Sequence, residues 1–574
     1  MANHLKKIWL VQSFNGFDDS FYQELKISPL TVQILFNRGI KDKEQVSKFL
    51  FPTLADLPDP FSMGHIDKVA HRLSTAIKKR EKITIFGDYD VDGTTATALL
   101  LLFLRKVGAQ VNFYIPHRLH EGYGLNIEAL QKIRSSGTNI LVTVDCGISN
   151  QEEVQWAQEN GLEVIITDHH EVPEDLPPAF AILNPKQKNC AYPFKELAGV
   201  GVVFNLLIAL RQVLRQTGLG NHQALPNLKE FLDLVALGTV ADVVPLLGVN
   251  RILVKYGLAQ LQQSTRPGIR ALKELAALGE SPVDTNTILF RFGPRINAAG
   301  RLGDAREVVQ LLSTDNEQEA QQIASRLEQI NSLRQRIEEK IYQSAKEMIT
   351  SGQMWPEKKS LVLASPDWHP GVIGIVASRL TEEFYRPTIL IACQEKIAKG
   401  SGRSITSFPL FSGLKKCQQW MEAFGGHAQA AGLLIRPEHI PSFAEAFEEI
   451  VRHSCEEEDF IPALPIDAWA QLRQIDELFF PELEAMAPFG PGNPEPVLAT
   501  TDLEVLESRL VGKNHMRLRL QQGRLIREAI AFNMADLHPL SKERIKLAFS
   551  PTVGFYQGKK TLELKVVDIQ KEER

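Results

Sequence analysis

From Lys82 onward, short apolar runs alternate with longer amphipathic ones. Ile83–Phe86, Val111–Ile115, Ile140–Val144, Val164–Thr167 and Ala181–Leu183 are brief, apolar and rich in β-branched residues, the pattern of strands buried on both faces. Helical runs such as Thr94–Val107 and Asn150–Gln158 separate several of them. This alternation predicts an α/β fold with a parallel, doubly wound sheet and helices on both faces, spanning residues 76–305. Residues 1–75, with prolines at 52, 58 and 60, read as a small N-terminal cap.

The period then changes. Over residues 316–350, Ile323, Leu327, Ile330, Ile337, Ile341, Ala345 and Met348 recur at three- and four-residue spacing, which predicts one long connector helix within 306–355. A second α/β lobe follows over 356–458. The Pro/Gly-rich stretch Pro488–Pro496 breaks the pattern inside the last region, 459–574. There Met516-Arg-Leu-Arg-Leu520 and Leu562-Glu-Leu-Lys-Val566 alternate apolar with charged residues, as the strands of a small OB-like β-barrel would. A basic outer face near Phe549, Phe555 and Tyr556 would suit single-stranded nucleic acid; a plain solubilising β-domain is the alternative.

Composition narrows the class. The 574 residues exceed one core, and 44% hydrophobic with 23% charged residues is the balance of a folded globular protein. A net charge of −5 argues against a surface coated in basic residues, although not against a local basic channel. Five scattered cysteines with no CxxC pair indicate neither a zinc ribbon nor a disulfide framework. The first residues carry no apolar signal-peptide core, and the apolar run Ala98–Leu104 is far shorter than the roughly 20 residues of a membrane span. A cytoplasmic protein without membrane association is expected.

Three strands of the first lobe end in acidic or imidazole groups: Asp88, Asp90 and Asp92 after the first, Asp145 after the third, and Asp168, His169 and His170 after the fourth. In a parallel sheet all strand C-termini lie on one edge, so these groups should converge. Several carboxylates together are costly unless a cation neutralises them, and oxygen ligands with an imidazole suit Mn²⁺ or Mg²⁺. Two such cations can clamp a phosphate and activate water. Each piece alone has an ordinary reading: DxDxD as a solvated turn or calcium loop, His-His as filler, Asp145 as a helix cap, and Asp242 as a helix-terminating turn. Their succession on strand ends is much more specific.

Asp88-Tyr-Asp-Val-Asp-Gly93, Asp145-Cys-Gly147, Asp168-His-His170 and Gly238-Thr-Val-Ala-Asp242 together resemble the four motifs of the DHH phosphoesterase superfamily. Gly293–Arg301, Trp368–Ser378, Ser401–Ser404, Gly425–Gly432, Ile115–Arg118 and Pro488–Pro496 extend the resemblance to its bacterial single-strand-specific exonucleases, from about residue 20 to the C-terminus. The resemblance implies two divalent cations, Mn²⁺ or Mg²⁺. Asp90 and Asp145 would hold one, and Asp92, Asp145, His169 and Asp242 the other. Asp88 and His170 would be close partners that orient ligands or assist the phosphate. Ser401, Arg403, Gly426 and His427 would grip strand phosphates, with Arg118 and Arg301 reaching in from the first lobe. It implies 5′→3′ hydrolysis of single-stranded DNA to mononucleotides in repair and recombination, by a monomer working beside a single-strand-binding protein and a helicase. Some superfamily members place a histidine ligand where this chain has Phe86, so one cation should have fewer protein ligands. Two rivals stand beside this reading. One is a relative acting on short oligonucleotides, cyclic dinucleotides or pyrophosphate, against which the cap and barrel favour a long strand. The other is a non-catalytic binding scaffold.

Overall fold

The computed structural model describes residues 5–12, 24–118, 120–218, 225–279, 281–352, 354–394, 396–476, 479–556 and 559–572. They form two compact units. One holds residues 51–333 with 486–494; the other holds the described residues up to Leu50, 334–485 and those from Glu495 onward. The expected cap is thus divided. Strand β1 (Ile8–Val11) pairs in parallel with a strand at Ala463–Ile466, and Trp9 donates through Nε1 to Asp568 at 2.7 Å. Residues 51–75 belong to the other unit.

The first unit is built on five parallel strands: β2 (Lys82–Gly87), β3 (Gln110–Tyr114), β4 (Ile140–Val144), β5 (Glu163–Thr167) and β6 (Ala181–Leu183), in the order β3-β2-β4-β5-β6. Alternate residues feed two cores. Ile83, Ile85, Ile140, Val142 and Val144 face helices α1 (Val91–Lys106), α2 (Gly199–Gln216) and α3 (Leu232–Ala241), while Phe86, Leu141, Val164 and Ile166 face helices at Ile127–Ser135 and Gln151–Glu159. That two-sided burial is why the strands read as continuous apolar runs. The chain leaves β2 for β3 on one side and returns to β4 on the other, so the loops after β2 and β4 diverge and open a crevice at the C-terminal edge.

A 35-residue helix, α4 (Glu317–Ser351), contains the boundary between the units. In the second unit, β7 (Leu361–Ser365), β8 (Thr388–Ala392), β9 (Ala398–Arg403), β10 (Ala423–Gly426) and β11 (Ala430–Ile435) form a mixed sheet. Two helices, α5 (Ile373–Phe384) and α6 (Ile440–Ser454), accompany it. The C-terminal strands at Leu498–Val511, His515–Gln522, Leu525–Ala531, Lys559–Lys571 and Arg544–Tyr556 close on one another as a five-stranded barrel. Met516, Leu518 and Leu520 fill its interior, as the alternation predicts.

The stacking surface expected on the barrel is not built as anticipated. Phe549 is fully buried and presents no face to a base, and the side chains of Phe555 and Tyr556 lie outside the described residues. Arg517 is engaged by Glu528 and Glu563, and Lys565 by Glu495, so part of the basic face is already neutralised. Among the described residues no helix is long and apolar enough to cross a membrane.

Candidate metal centre and phosphate-binding residues

The crevice gathers the predicted ligands. Asp90 caps α1, accepting from Gly93 N at 2.9 Å. Asp92, in the first turn of α1, accepts from Gly199 N at 2.5 Å and Val200 N at 2.9 Å at the start of α2. Asp145 follows β4 with φ +62°, a left-handed conformation that aspartate tolerates better than most residues, and donates its N–H to Thr167 O at 2.9 Å. His169 follows β5; its Nε2 lies 3.1 Å from Asp145 Oδ1, 3.6 Å from Asp242 Oδ2 and 3.9 Å from Asp92 Oδ2. Asp242 terminates α3.

Three overlapping ligand sets result among the described residues: Asp92 with His169 and Asp242, Asp88 with Asp90 and Asp145, and Asp145 with His169 and His170, each with its donor atoms within 4.8 Å of one another. Asp145 stands in the second set and beside His169 of the first, as a bridging carboxylate would. Burial raises the Asp88 and Asp145 carboxyls well above the usual range, and neighbouring aspartates add to it. Burial and the charges of Asp92 and Asp90 push Asp242 up to about 9; burial and Asp90 push Asp92 up to about 7. Burial, then the charge of His170, lowers His169 to about 4, leaving a neutral imidazole free to ligate.

The donor set fits a pair of divalent cations on an independent observation. Asp88 Oδ1, Asp145 Oδ1, His169 Nε2 and Asp242 Oδ2 are buried atoms with no hydrogen-bond partner in the protein, a costly state that a cation relieves. Oxygens with one imidazole suit Mg²⁺ or Mn²⁺. Phe86 is buried and stacks on Tyr114 at 5.5 Å, so it contributes no ligand.

Asp168 carries more than its place in the motif suggested. It is fully buried and accepts from Ile148 N, His169 N, His170 N and His170 Nδ1 at 2.8–3.1 Å. Burial alone would raise its pKa, but these bonds hold it below the ordinary value, so it stays ionised and fixes both histidines. Through the same bond His170 is raised despite its burial, and its charge offsets a small part of the rise at Asp88. Lys186, bound to Glu171 at 2.8 Å, also acts on His169 and Asp242 by its charge. It had no sequence signal of its own.

The expected phosphate-gripping residues divide between the units. Arg118 and Arg301 lie in the metal-bearing unit, where Arg118 covers the Tyr89 ring at 5.0 Å and Arg301 acts on Tyr89 by its charge. In the other unit, antiparallel register places Ser401 opposite Gly432 and Arg403 opposite Ala430. Gly426, which His427 follows, pairs with Ala431 on the far side of β11, one strand removed from them. A Cβ on Gly426 would sit 2.4 Å from Ala430 O, so that position requires glycine. Gly374, near the start of α5, completes the group: a Cβ there would meet Ser401 Oγ at 2.9 Å and Arg403 at 3.4 Å. The Arg403 guanidinium is lowered by burial and donates to Gly402 O and Ser401 Oγ; none of the ion pairs formed by described residues includes it.

Fold and centre together define a two-metal phosphoesterase of the DHH class, and sequence comparison agrees. Residues 82–239 match the DHH family N-terminal domain, 357–453 the DHHA1 domain and 466–568 the RecJ OB domain. The chain is 38% identical over 555 residues to the single-stranded-DNA-specific exonuclease RecJ of Bacillus subtilis, covering 96% of this chain and 69% of that one. It superposes on RecJ of Thermus thermophilus in complex with Mn²⁺ with a TM-score of 0.83 at 32% identity, covering 99% of this chain and 80% of that one. With the Mg²⁺ complex of the same protein the values are 0.77, 31%, 99% and 79%. The chain belongs to the RecJ family of single-stranded-DNA-specific exonucleases.

Proposed function

We propose that the chain shortens single-stranded DNA from its 5′ end by metal-dependent hydrolysis of phosphodiester bonds, releasing mononucleotides. The observation that carries the reading is the convergence of four buried ligand atoms, none with a hydrogen bond, at the switch point of the parallel sheet. Asp92, Asp145, His169 and Asp242 would hold one cation, and Asp90 with Asp145 the other, with Asp88 adjoining. Bound there, the cations supply positive charge to the scissile phosphate and make water acidic enough to attack it near neutral pH. Asp168 keeps His169 and His170 in place, and its bond to Nδ1 raises the His170 pKa, which favours the form that can donate from Nε2 to a phosphate oxygen. Ser401, Arg403, Gly426 and His427 suit a terminal phosphate, aided by the positive N-terminus of α5. Arg118 and Arg301 suit phosphates nearer the metal centre. A place in DNA repair and recombination, action as a cytoplasmic monomer, and work beside a single-strand-binding protein and a helicase accord with this activity.

The test uses single strands labelled at either end, a matching duplex and a dinucleotide, each with Mn²⁺, Mg²⁺ or EDTA. Rapid release of the 5′ label as mononucleotide from the single strand alone is expected, abolished by EDTA. Release of the 3′ label first would overturn the polarity, and preference for the dinucleotide would move the chain to the short-oligonucleotide class.

A further inference from the structure

We infer that the Pro/Gly-rich segment Pro488–Asn493 is a strap that positions the ligand Asp242, and so sets the affinity of the metal centre. This rests on the metal-centre reading above. Asp242 is followed by Val243 at φ +63°, a conformation that a β-branched residue keeps only when its surroundings impose it. Val243 is 57% exposed, so its own packing does not impose it. The restraint comes from the next residues. Fully buried Asn250 donates through Nδ2 to Pro245 O at 3.0 Å and also to Glu196 O, just before α2. On the other side, Leu246 N donates to Pro491 O at 2.7 Å, across more than 240 positions of sequence.

The strap is itself stiff. Gly490 and Asn493 exchange backbone hydrogen bonds at 2.9 and 3.0 Å, and the buried Asn493 side chain donates to Met486 O and Pro488 O. Thr285 Oγ1 donates to Phe489 O at 2.8 Å, and buried Arg251 reaches Pro488 O at 3.4 Å. Its glycines permit the close approach: a Cβ on Gly490 would lie 2.7 Å from Leu246, and one on Gly492 3.2 Å from Pro245. Residues 486–494 accordingly belong to the metal-bearing unit, while the chain on both sides of them belongs to the other.

The test compares Gly490→Val and Thr285→Val with the full-length wild type. Mn²⁺ binding without DNA is read by isothermal titration, alongside the metal-free melting temperature and the Mn²⁺ midpoint of single-strand hydrolysis. Gly490→Val should weaken Mn²⁺ binding about tenfold, the scale of a lost supporting interaction around a ligand, and shift the activation midpoint alike. Thr285→Val deletes one hydrogen bond without added bulk and should move both in the same direction by a smaller factor; it carries the test if Gly490→Val does not fold. Lowered melting with unchanged Mn²⁺ affinity in either folded variant would overturn the strap and leave only packing. Asp242→Asn is the control: if it too leaves Mn²⁺ affinity unchanged, the metal-centre reading itself fails.

Discussion

Gly199→Ala puts one methyl group where Asp145, the carboxylate proposed to bridge the cations, has no room. An ideal Cβ at Gly199 lies 2.8 Å from both Cβ and Oδ1 of Asp145, whereas ordinary contact begins at 3.4 Å, a deficit of about 0.6 Å. Asp145 cannot retreat, because it is 1% exposed, its N–H is held by Thr167 O at 2.9 Å, and His169 Nε2 stands 3.1 Å beyond. Nor can α2 withdraw without drawing its N–H groups away from Asp92, which they hold at 2.5 and 2.9 Å. Metal–ligand distances tolerate only about 0.2 Å, so the displacement is roughly three times what two cations sharing Asp145 can absorb.

Overpacking costs about 1–3 kcal/mol, and replacing a helical glycine returns about 0.5–1 kcal/mol, so the variant should remain folded. Catalysis should suffer far more, since misplacement on the ångström scale costs on the order of 100-fold. The assay is steady-state release of labelled nucleotide from a single strand across an Mn²⁺ titration taken to saturation, with a thermal melt as control. A fall in kcat of about 100-fold with KM for DNA nearly unchanged is expected, because no phosphate contact is removed. A kcat within about threefold of wild type, with the same Mn²⁺ midpoint, would refute the argument that Asp145 is sterically locked.

Asp145→Asn should abolish hydrolysis, by on the order of 1,000-fold or more, yet melt no lower than wild type without metal, because it replaces a buried carboxyl crowded by other aspartates with a neutral amide; labelled-nucleotide release checks the first half and circular dichroism melts without Mn²⁺ the second. Arg403→Ala should weaken binding of a 5′-phosphorylated strand about 10- to 100-fold, the scale of a lost charged hydrogen bond, while an unphosphorylated strand changes little; fluorescence anisotropy with EDTA present reads this. Glu448 offers a pH test away from the metals. Burial raises its pKa, but bonds from Lys359 N, Ser360 N and Ser360 Oγ at 2.7–3.0 Å, and the charge of Arg452, outweigh that and hold it below the ordinary value. A depressed folded-state pKa contributes stability that is present above the ordinary carboxylate pKa of about 4.3 and lost as pH falls through the folded value. Glu448→Gln should therefore melt below wild type at pH 7, and the gap should close as the pH is taken below about 4.

What was legible in the sequence was what side-chain pattern encodes. Runs such as Ile140–Val144 announce strands because both faces are buried, and acidic strand ends announce a crevice because parallel strands share an edge. Asp92, Asp145 and His169 could be named as candidate ligands for that reason, whereas Asp242, which ends helix α3, was named only through its Gly238–Asp242 motif. Phe549 misled because period-2 alternation says that two faces differ, not which one a barrel turns inward. β1 left no mark because a four-residue strand is defined by its partner, here some 455 positions away.

Asp168 and the Pro488–Pro496 stretch stood out in the sequence, but their roles were illegible for a different reason: they act on backbone. Asp168 holds three N–H groups, and the strap offers carbonyls to Leu246, Thr285 and Arg251, so neither needs a distinctive side chain opposite it. Gly199 and Gly490 are the extreme case, since what they contribute is the Cβ they lack. The residues that carry the chemistry are thus chosen by side-chain type, whereas those that aim them are chosen by the space they leave and the backbone groups they satisfy. A scan for catalytic side chains therefore finds the ligands of this centre and passes over its supports, and substitutions at Gly199 and Gly490 measure what such a scan leaves out.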